Sequence, residues 1–182
     1  MKTMSARRIA FSAAVAAVYA ALTMCLAPIS YGAVQFRVSE ALCILPFFFP
    51  YTAWGLYVGC LIANLLSPVG ILDIVFGSLA TLLAGLCTAA LGRGDRRSWS
   101  RCILACLMPV IFNAVIVGAV IAVSGAEEPF SAAGAALFAL SGLEVGLGEL
   151  AVMFVIGLPL TRILPKKAFF NKIVKKIDGD CS

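Results

Sequence analysis

Long runs of apolar residues constrain this chain more than any other feature of its sequence. Runs of about 20 apolar residues match the hydrocarbon thickness of a bilayer. Of the 182 residues, 62% are hydrophobic and only 13% are charged, more apolar surface than a soluble domain of this size could bury. Because the backbone must satisfy its own hydrogen bonds in lipid, and because the runs do not alternate as in a β-barrel, we expect helices. The sequence therefore predicts an all-α integral membrane protein.

The apolar runs predict six transmembrane helices in one bundle, forming a single membrane domain over residues 1–182. Pro46 and Pro50 divide what would otherwise be one long helix into two short ones. The first run resembles a signal peptide, but it has full spanning length, and we interpret it as a helix. A basic tail, 165–182, follows the last span. The predicted spans lie at about 9–27, 39–50, 51–67, 71–91, 102–124 and 140–164.

The distribution of basic residues predicts the orientation. With six spans, every one of the 14 Lys and Arg residues except Arg37 falls on one side of the membrane, which the positive-inside rule assigns to the cytoplasm. With five spans, residues 92–101 and the tail would lie on opposite sides. We therefore expect both termini to be cytoplasmic, and Arg37, Glu127 and Glu128 to lie outside. The tail either lies along the anionic inner leaflet or is simply solvated.

Small residues recur at helix-packing intervals. Ala13, Ala17 and Ala21 share one stripe of the first helix, where another helix can approach closely. The sequence alone leaves internal packing and docking of a separate membrane protein equally open. The glycine pairs of GLYVG (55–59) and GLEVG (142–146) have GxxxG spacing. These two pairs predict packing within the bundle.

Polar side chains within the predicted spans are few, and a lone carboxylate in lipid must face a cavity or a partner. The predicted topology places four of them in the outer half of the membrane and two near its middle, which predicts a pocket open to the outside. Glu144 and Glu149 have no obvious cationic partner, whereas the others also have local structural explanations. The set comprises Glu40, Asn64, Asp73, Asn113, Glu144 and Glu149.

The sequence also lacks several motifs. It contains no histidine and no CxxC among its seven cysteines, and no G-x-x-x-x-G-K-[ST] motif, so we expect neither metal or redox chemistry nor ATP binding by a P-loop. We predict no cofactor, no metal and no nucleic-acid partner. A membrane-embedded enzyme is therefore a weak alternative.

Three stretches, LAPISYGAVQFRVSEALCILPFFFP, GCLIANLLSPVGILDIVFGSLATLLA and GLGELAVMFVIGLPL, resemble the QueT family, and the resemblance extends over residues 8–165. Members are substrate-binding S components of energy-coupling factor (ECF) transporters assigned to queuosine precursors. The resemblance implies a prokaryotic plasma-membrane protein with six helices, an outer pocket and no ATPase of its own. Its partners would be a membrane coupling protein and two cytoplasmic ATPases. It also implies that the alanine stripe docks the coupling protein.

The expected ligand is a deazaguanine: queuine, or its aminomethyl or cyano precursor. A carboxylate can accept the N–H and NH₂ of a guanine edge together, and a second carboxylate would suit the aminomethyl cation. We expect Arg37 and Glu40 to fasten the outer loop 28–39, either to each other or to Asp73. The alternatives are an S component for another vitamin or heterocycle, or a passive channel. Candidate ligand contacts are Glu149, Glu144, Asn113, Asn64, Gln35, Phe36 and Tyr31.

Overall fold

The computed structural model describes residues 5–31 and 35–178, and the regular structure in these ranges is helical. Lys2, one of the predicted cytoplasmic cations, lies outside the described residues, as does the end of the tail. The order of elements is α1 (Ala6–Cys25), a helical turn (Ala27–Ser30), a 3-10 helix (Val38–Phe47), α2 (Thr52–Asn64), α3 (Asp73–Leu91), α4 (Trp99–Gly125), α5 (Ala132–Lys166) and α6 (Ala168–Asp178).

Four of these helices, α1, α3, α4 and α5, are long and apolar enough to cross a membrane, with 20, 19, 27 and 35 residues. The chain is thus an all-helical membrane protein. The 3-10 helix of 10 residues and α2 of 13 residues each extend roughly 20 Å at the rises of their helix types. Pro46 lies inside the 3-10 helix and does not end it, so the predicted break falls only at residues 48–51.

Glycines allow the helix backbones to touch. A Cβ added at Gly59 of α2 would lie 2.6 Å from the carbonyl oxygen of Ala16 in α1, and Gly55 meets Ser12 even more closely. At the second pair, the Cα of Gly142 in α5 would lie 2.7 Å from a Cβ added at Gly118 in α4. The predicted role of both glycine pairs in internal packing is confirmed.

The basic segments meet at one end of the bundle. Arg162 near the end of α5 donates to the carbonyl of Arg97 at 2.7 Å, and its guanidinium lies 3.9 Å from the ring centroid of Trp99. At the same end, Arg7 at the start of α1 donates to the carbonyl of Lys176 at 3.1 Å. The beginning of α1, the α3–α4 connection, the end of α5 and helix α6 thus share this end.

Helix α6 packs on the bundle through its apolar face. The ring of Phe170 is buried, with its centroid 5.2 Å from that of Phe48 and 5.5 Å from that of Phe49. Ile173 and Val174 extend the same contact. The lysines at 172, 175 and 176 remain exposed. From Ala168 to Asp178 the predicted basic tail is therefore a helix that buries one face and exposes a basic one.

Three helices contain a π-helical segment, a rare geometry that is frequent at functional sites. The segments are Asp73–Gly77 in α3, Asn113–Val117 in α4 and Met153–Gly157 in α5. The first two contact each other, and the third contacts the 3-10 helix. The first two segments begin at Asp73 and Asn113, two of the predicted polar residues, whereas the third begins at Met153 in the apolar core.

Candidate functional site

A group of buried polar side chains occupies the interior of the bundle, and we call it the polar cluster. Its members come from α1, the loop that follows it, the 3-10 helix, and α2 to α5. Buried polar groups are normally satisfied by hydrogen bonds, so the unsatisfied ones deserve separate description. The polar cluster consists of Tyr19, Thr23, Arg37, Ser39, Glu40, Asn64, Asp73, Asn113 and Glu149.

Arg37 joins the loop after α1 to helix α3. Its guanidinium forms a salt bridge with Asp73, with 3.4 Å between NH2 and Oδ2. Nε donates to the carbonyl of Ser30 at 3.5 Å, and the guanidinium carbon lies 5.3 Å from the centroid of the Tyr31 ring. Arg37 was expected to pair with either Glu40 or Asp73, and the structure shows the salt bridge with Asp73.

Tyr31 also fastens this loop. Its hydroxyl donates to the carbonyl of Ala63 in α2 at 2.6 Å, and Arg37 lies against its ring. This side chain was predicted as a ligand contact, but its hydroxyl is taken up by the α2 backbone. The neighbouring loop residues differ in exposure, since Gln35 is buried and Phe36 is exposed.

Asn64 and Asp73 connect α2 with α3. The Asn64 amide donates to the backbone carbonyl of Asp73 at 2.9 Å. A Cβ added at Gly77 would lie 2.9 Å from Nδ2 of Asn64 and would clash with Oδ1 of Asp73. Sequence reasoning missed Gly77; its position four residues after Asp73, one helical turn away, was the available signal.

Glu40 fastens the 3-10 helix to α1. Its carboxylate accepts a short hydrogen bond from the Tyr19 hydroxyl and another from the thiol of Cys43 at 2.8 Å. One turn further along α1, Thr23 and Ser39 share a hydrogen bond of 2.6 Å. Tyr19 and Cys43 were not predicted, because nothing in a one-dimensional apolar run marks a tyrosine or a cysteine as the partner of a distant carboxylate.

Glu149 lies on the buried stripe of α5, with 2% of its surface exposed. Its side chain forms a hydrogen bond with that of Asn113 in α4, and it interacts electrostatically with Glu40 and Arg37. Glu144 is only half-buried, one position before the buried Val145. The structure therefore brings Glu149 and Asn113 into the cluster and leaves Glu144 at its margin.

Apart from two nitrogens of Arg162 at the basic end of the bundle, five buried polar atoms in or beside the polar cluster have no hydrogen-bond partner within the described ranges. Three of them are pure acceptors and two are hydroxyls. Leaving such a group unpaired costs about 1–3 kcal/mol, so this interior is suited to a ligand with several N–H donors. The atoms are Oε1 of Glu149, Oδ1 of Asn64, Oδ1 of Asp73, and the hydroxyls of Ser30 and Ser78.

The alanines of α1 form two rows with different surroundings. Ala16 and Ala20 are buried against the rest of the bundle. The stripe of Ala13, Ala17 and Ala21 is exposed. The fold therefore uses the first row for its own packing and leaves the second free.

The interior of this helical membrane bundle contains carboxylates and unpaired hydrogen-bond acceptors. Such intramembrane polar groups are typical of proteins that bind or transport small polar molecules or ions. A family model described as QueT transporter matches residues 9–166. The chain belongs to the QueT transporter family.

One curated protein is similar to part of this chain. The queuosine precursor transporter QueT of Lactococcus lactis subsp. cremoris (strain MG1363) is 45% identical over 73 residues, which cover 39% of this chain and 43% of that protein. The chain thus matches less than half of the length of that relative. No solved structure matches the chain.

Proposed function

We propose that this chain is the substrate-binding S component of an ECF transporter, which takes up a queuosine precursor such as queuine or a related 7-deazaguanine. The observation that carries the proposal is the buried Glu149, whose free Oε1 meets the need of a guanine edge for an acceptor. Family membership and the name of the matched relative supply the ligand class. In this role the chain is not an enzyme, and partner ATPases supply the energy.

The ligand would be held mainly by groups with unused acceptors. Glu149 accepts the adjacent N–H and NH₂ of the guanine edge as a charge-assisted pair. Asn113 beside it and Asn64 with its free Oδ1 suit the remaining polar edge. Gln35 approaches from the buried side of the loop. We place Glu144, Phe36 and Tyr31 at the margin of the site.

The proposed topology has six spans in the plasma membrane of a prokaryote, with both termini in the cytoplasm. Its support is the meeting of Arg7, Arg97, Arg162 and α6 at one end of the bundle, since cytoplasmic ends carry the excess of Lys and Arg. Arg37 and its loop belong to the other end. The ligand then enters from outside, past the loop that Arg37 and Asp73 fasten.

The exposed alanine stripe of α1 would dock the membrane coupling protein. Small residues permit close approach of helices in lipid, and this row is exposed while the neighbouring row is buried. Two cytoplasmic ATPases complete the complex.

Identification of the small molecule that co-purifies with the protein tests the proposal. The chain is purified in mild detergent from cells supplied with queuosine precursors, and the bound small molecules are released and identified by mass spectrometry. We expect a 7-deazaguanine in the parent protein and much less of it in Glu149→Gln purified in parallel. If a different heterocycle is bound instead, the chain is an S component for another vitamin and the proposed ligand is wrong.

A further inference from the structure

Helix α6 lies beyond the residues that the family model matches, which end at 166. It is strongly amphipathic, with apolar residues on one arc and lysines on another. Residues 162–177 include no acidic residue but six basic ones, Arg162, Lys166, Lys167, Lys172, Lys175 and Lys176. A basic amphipathic helix with an aromatic residue on its apolar face is typical of a segment that lies in the interface of a membrane.

The bundle covers only part of the apolar face of α6. Phe170 is buried, and Ile173 and Val174 are half-buried against the aromatic core. Phe169, at the edge of the same arc, is 75% exposed. Because leaving a large apolar side chain in water is unfavourable, this edge of the helix is suited to contact with an apolar partner.

An apolar groove of about 400 Å³ opens beside this edge, between α1, the 3-10 helix, the end of α5 and α6. Its walls include Phe11, Leu45, Leu164 and Phe169, and the only charged residue that lines it in the described part of the chain is Lys167. The volume is within the range of about 300–1,000 Å³ that is usual for small-molecule sites. The groove therefore has an apolar body and a single positive charge at its border.

Two more lysines flank the groove. Lys172 and Lys176 follow Phe169 by three and seven residues, which places them on its side of α6. Lys175 falls about 120° away from Phe169 around the helix axis. Lysine binds phosphate as a point charge, and its alkyl stem can lie along apolar surface while the ammonium stays at the level of polar headgroups. The border of the groove thus matches an anionic headgroup, and its body matches an acyl chain.

We propose that the groove beneath α6 binds an anionic phospholipid, with an acyl chain beside Phe169 and the headgroup phosphate against Lys167, Lys172 and Lys176. The site lies at the basic end of the bundle, which we propose to be cytoplasmic, and anionic lipids are found in that leaflet. The bound lipid fills the space between α6 and the bundle. This inference goes beyond the proposed function and does not depend on which ligand the polar cluster binds.

Native mass spectrometry of the full chain in detergent, titrated with dioleoyl phosphatidylglycerol, tests the site. We expect Lys167→Gln/Lys176→Gln to weaken binding of this lipid by about tenfold or more, because each lysine beside an anionic headgroup contributes to the attraction. Lys166→Gln/Lys175→Gln is the matched control, since it removes the same charge from adjacent positions, and it should keep most of the parent affinity. All four lysines are exposed, so both variants should fold, and circular dichroism checks this.

Two further probes separate the headgroup from the acyl chain. Dioleoyl phosphatidylcholine has the same chains without the net negative charge, and it should bind the parent much more weakly. Glycerol 3-phosphate has the anionic group without the chains, and it should not displace the lipid.

The remaining outcomes would overturn the proposal. An equal loss in both double variants would show general attraction to a solvated basic face and no site. Equal binding of the two lipids would remove the role of the lysines, and displacement by glycerol 3-phosphate would replace the lipid by a free anion. Failure of the parent to bind phosphatidylglycerol would leave an acidic surface of a partner protein as the occupant of this face.

Discussion

At the scale of single residues, the molecule keeps a few polar side chains in an interior where each one is expensive. Arg37 pairs with Oδ2 of Asp73, and Glu40 accepts hydrogen bonds from Tyr19 and Cys43. Oδ1 of Asp73 and Oε1 of Glu149 both lack a partner, but Asp73 has its salt bridge, whereas no salt bridge of Glu149 is found among the described residues. A group that is stabilised by its neighbours serves the fold, while one that is left unpaired is available to a ligand.

Replacing Glu149 by Gln tests this distinction. The substitution keeps the volume but turns one acceptor oxygen into a donor that faces the guanine N–H groups. The loss should be on the order of 2–4 kcal/mol, which weakens binding of a deazaguanine about 30- to 1,000-fold. Isothermal titration calorimetry on the purified variant measures it. Glu144→Gln, the competing carboxylate at the margin, is measured beside it; parent-like binding by both variants would show that the wrong carboxylates were named.

The salt bridge between Arg37 and Asp73 is tested by a double-mutant cycle on thermal unfolding in detergent. Arg37→Met leaves a buried carboxylate without its partner and should cost about 3–5 kcal/mol of unfolding free energy. Asp73→Leu leaves the guanidinium buried and alone. The double variant should be less destabilised than the sum of the two, with a coupling of about 0.5–3 kcal/mol. Strict additivity would mean that the loop is fastened by other contacts.

At the scale of elements, the apolar runs predicted most helix bounds within about three residues, because the length of an apolar run is a local property of the sequence. The start of α5 is an exception, since this helix begins at Ala132 and not near residue 140. The 3-10 geometry of Val38–Phe47 and the π segments of α3, α4 and α5 could not be predicted in this way. They depend on contacts between helices, such as those of Glu40 with Tyr19 and of Asn64 with Asp73. For the same reason the sequence could not decide which alanine row of α1 is buried.

The exposed stripe makes a prediction for α1. Ala17→Trp fills the centre of the stripe, one turn from Ala13 and Ala21, and should prevent close approach of a partner helix. The yield of coupling protein that co-purifies with the tagged chain should fall sharply, while deazaguanine affinity is unchanged because the polar cluster lies inside the bundle. Val18→Trp, exposed but off the small-residue stripe, is the matched control. An undiminished yield with Ala17→Trp would remove the docking role.

At the scale of the whole molecule, the distribution of basic residues and the fold both distinguish one end of the bundle from the other. Arg7, Arg97, Arg162 and α6 meet at one end, and the loop held by Arg37 lies at the other. The charge asymmetry was readable from the sequence because orientation depends on counts of Lys and Arg. The convergence of Arg37, Glu40 and Glu149 was only partly readable, since their partners come from other helices.

The orientation is tested by labelling single cysteines on intact cells with a membrane-impermeant maleimide, in a background whose native cysteines are replaced by alanine. Glu127→Cys should react, because residue 127 follows α4 at the end that we propose to be outside. Ser100→Cys, exposed at the start of α4, should react only after the cells are permeabilised. The opposite labelling pattern would show that the orientation is reversed and that the loop held by Arg37 lies on the cytoplasmic side.

We propose that this chain binds a queuosine precursor but depends on partner ATPases to move it. The most direct test is uptake of a radiolabelled deazaguanine by cells that produce the chain with or without the coupling protein and the two ATPases. We expect binding by the chain alone, and accumulation only when all the partners are present and the ATPases are active. Accumulation or equilibration of the labelled compound through the chain without these partners would show a passive facilitator and would rule out an S component.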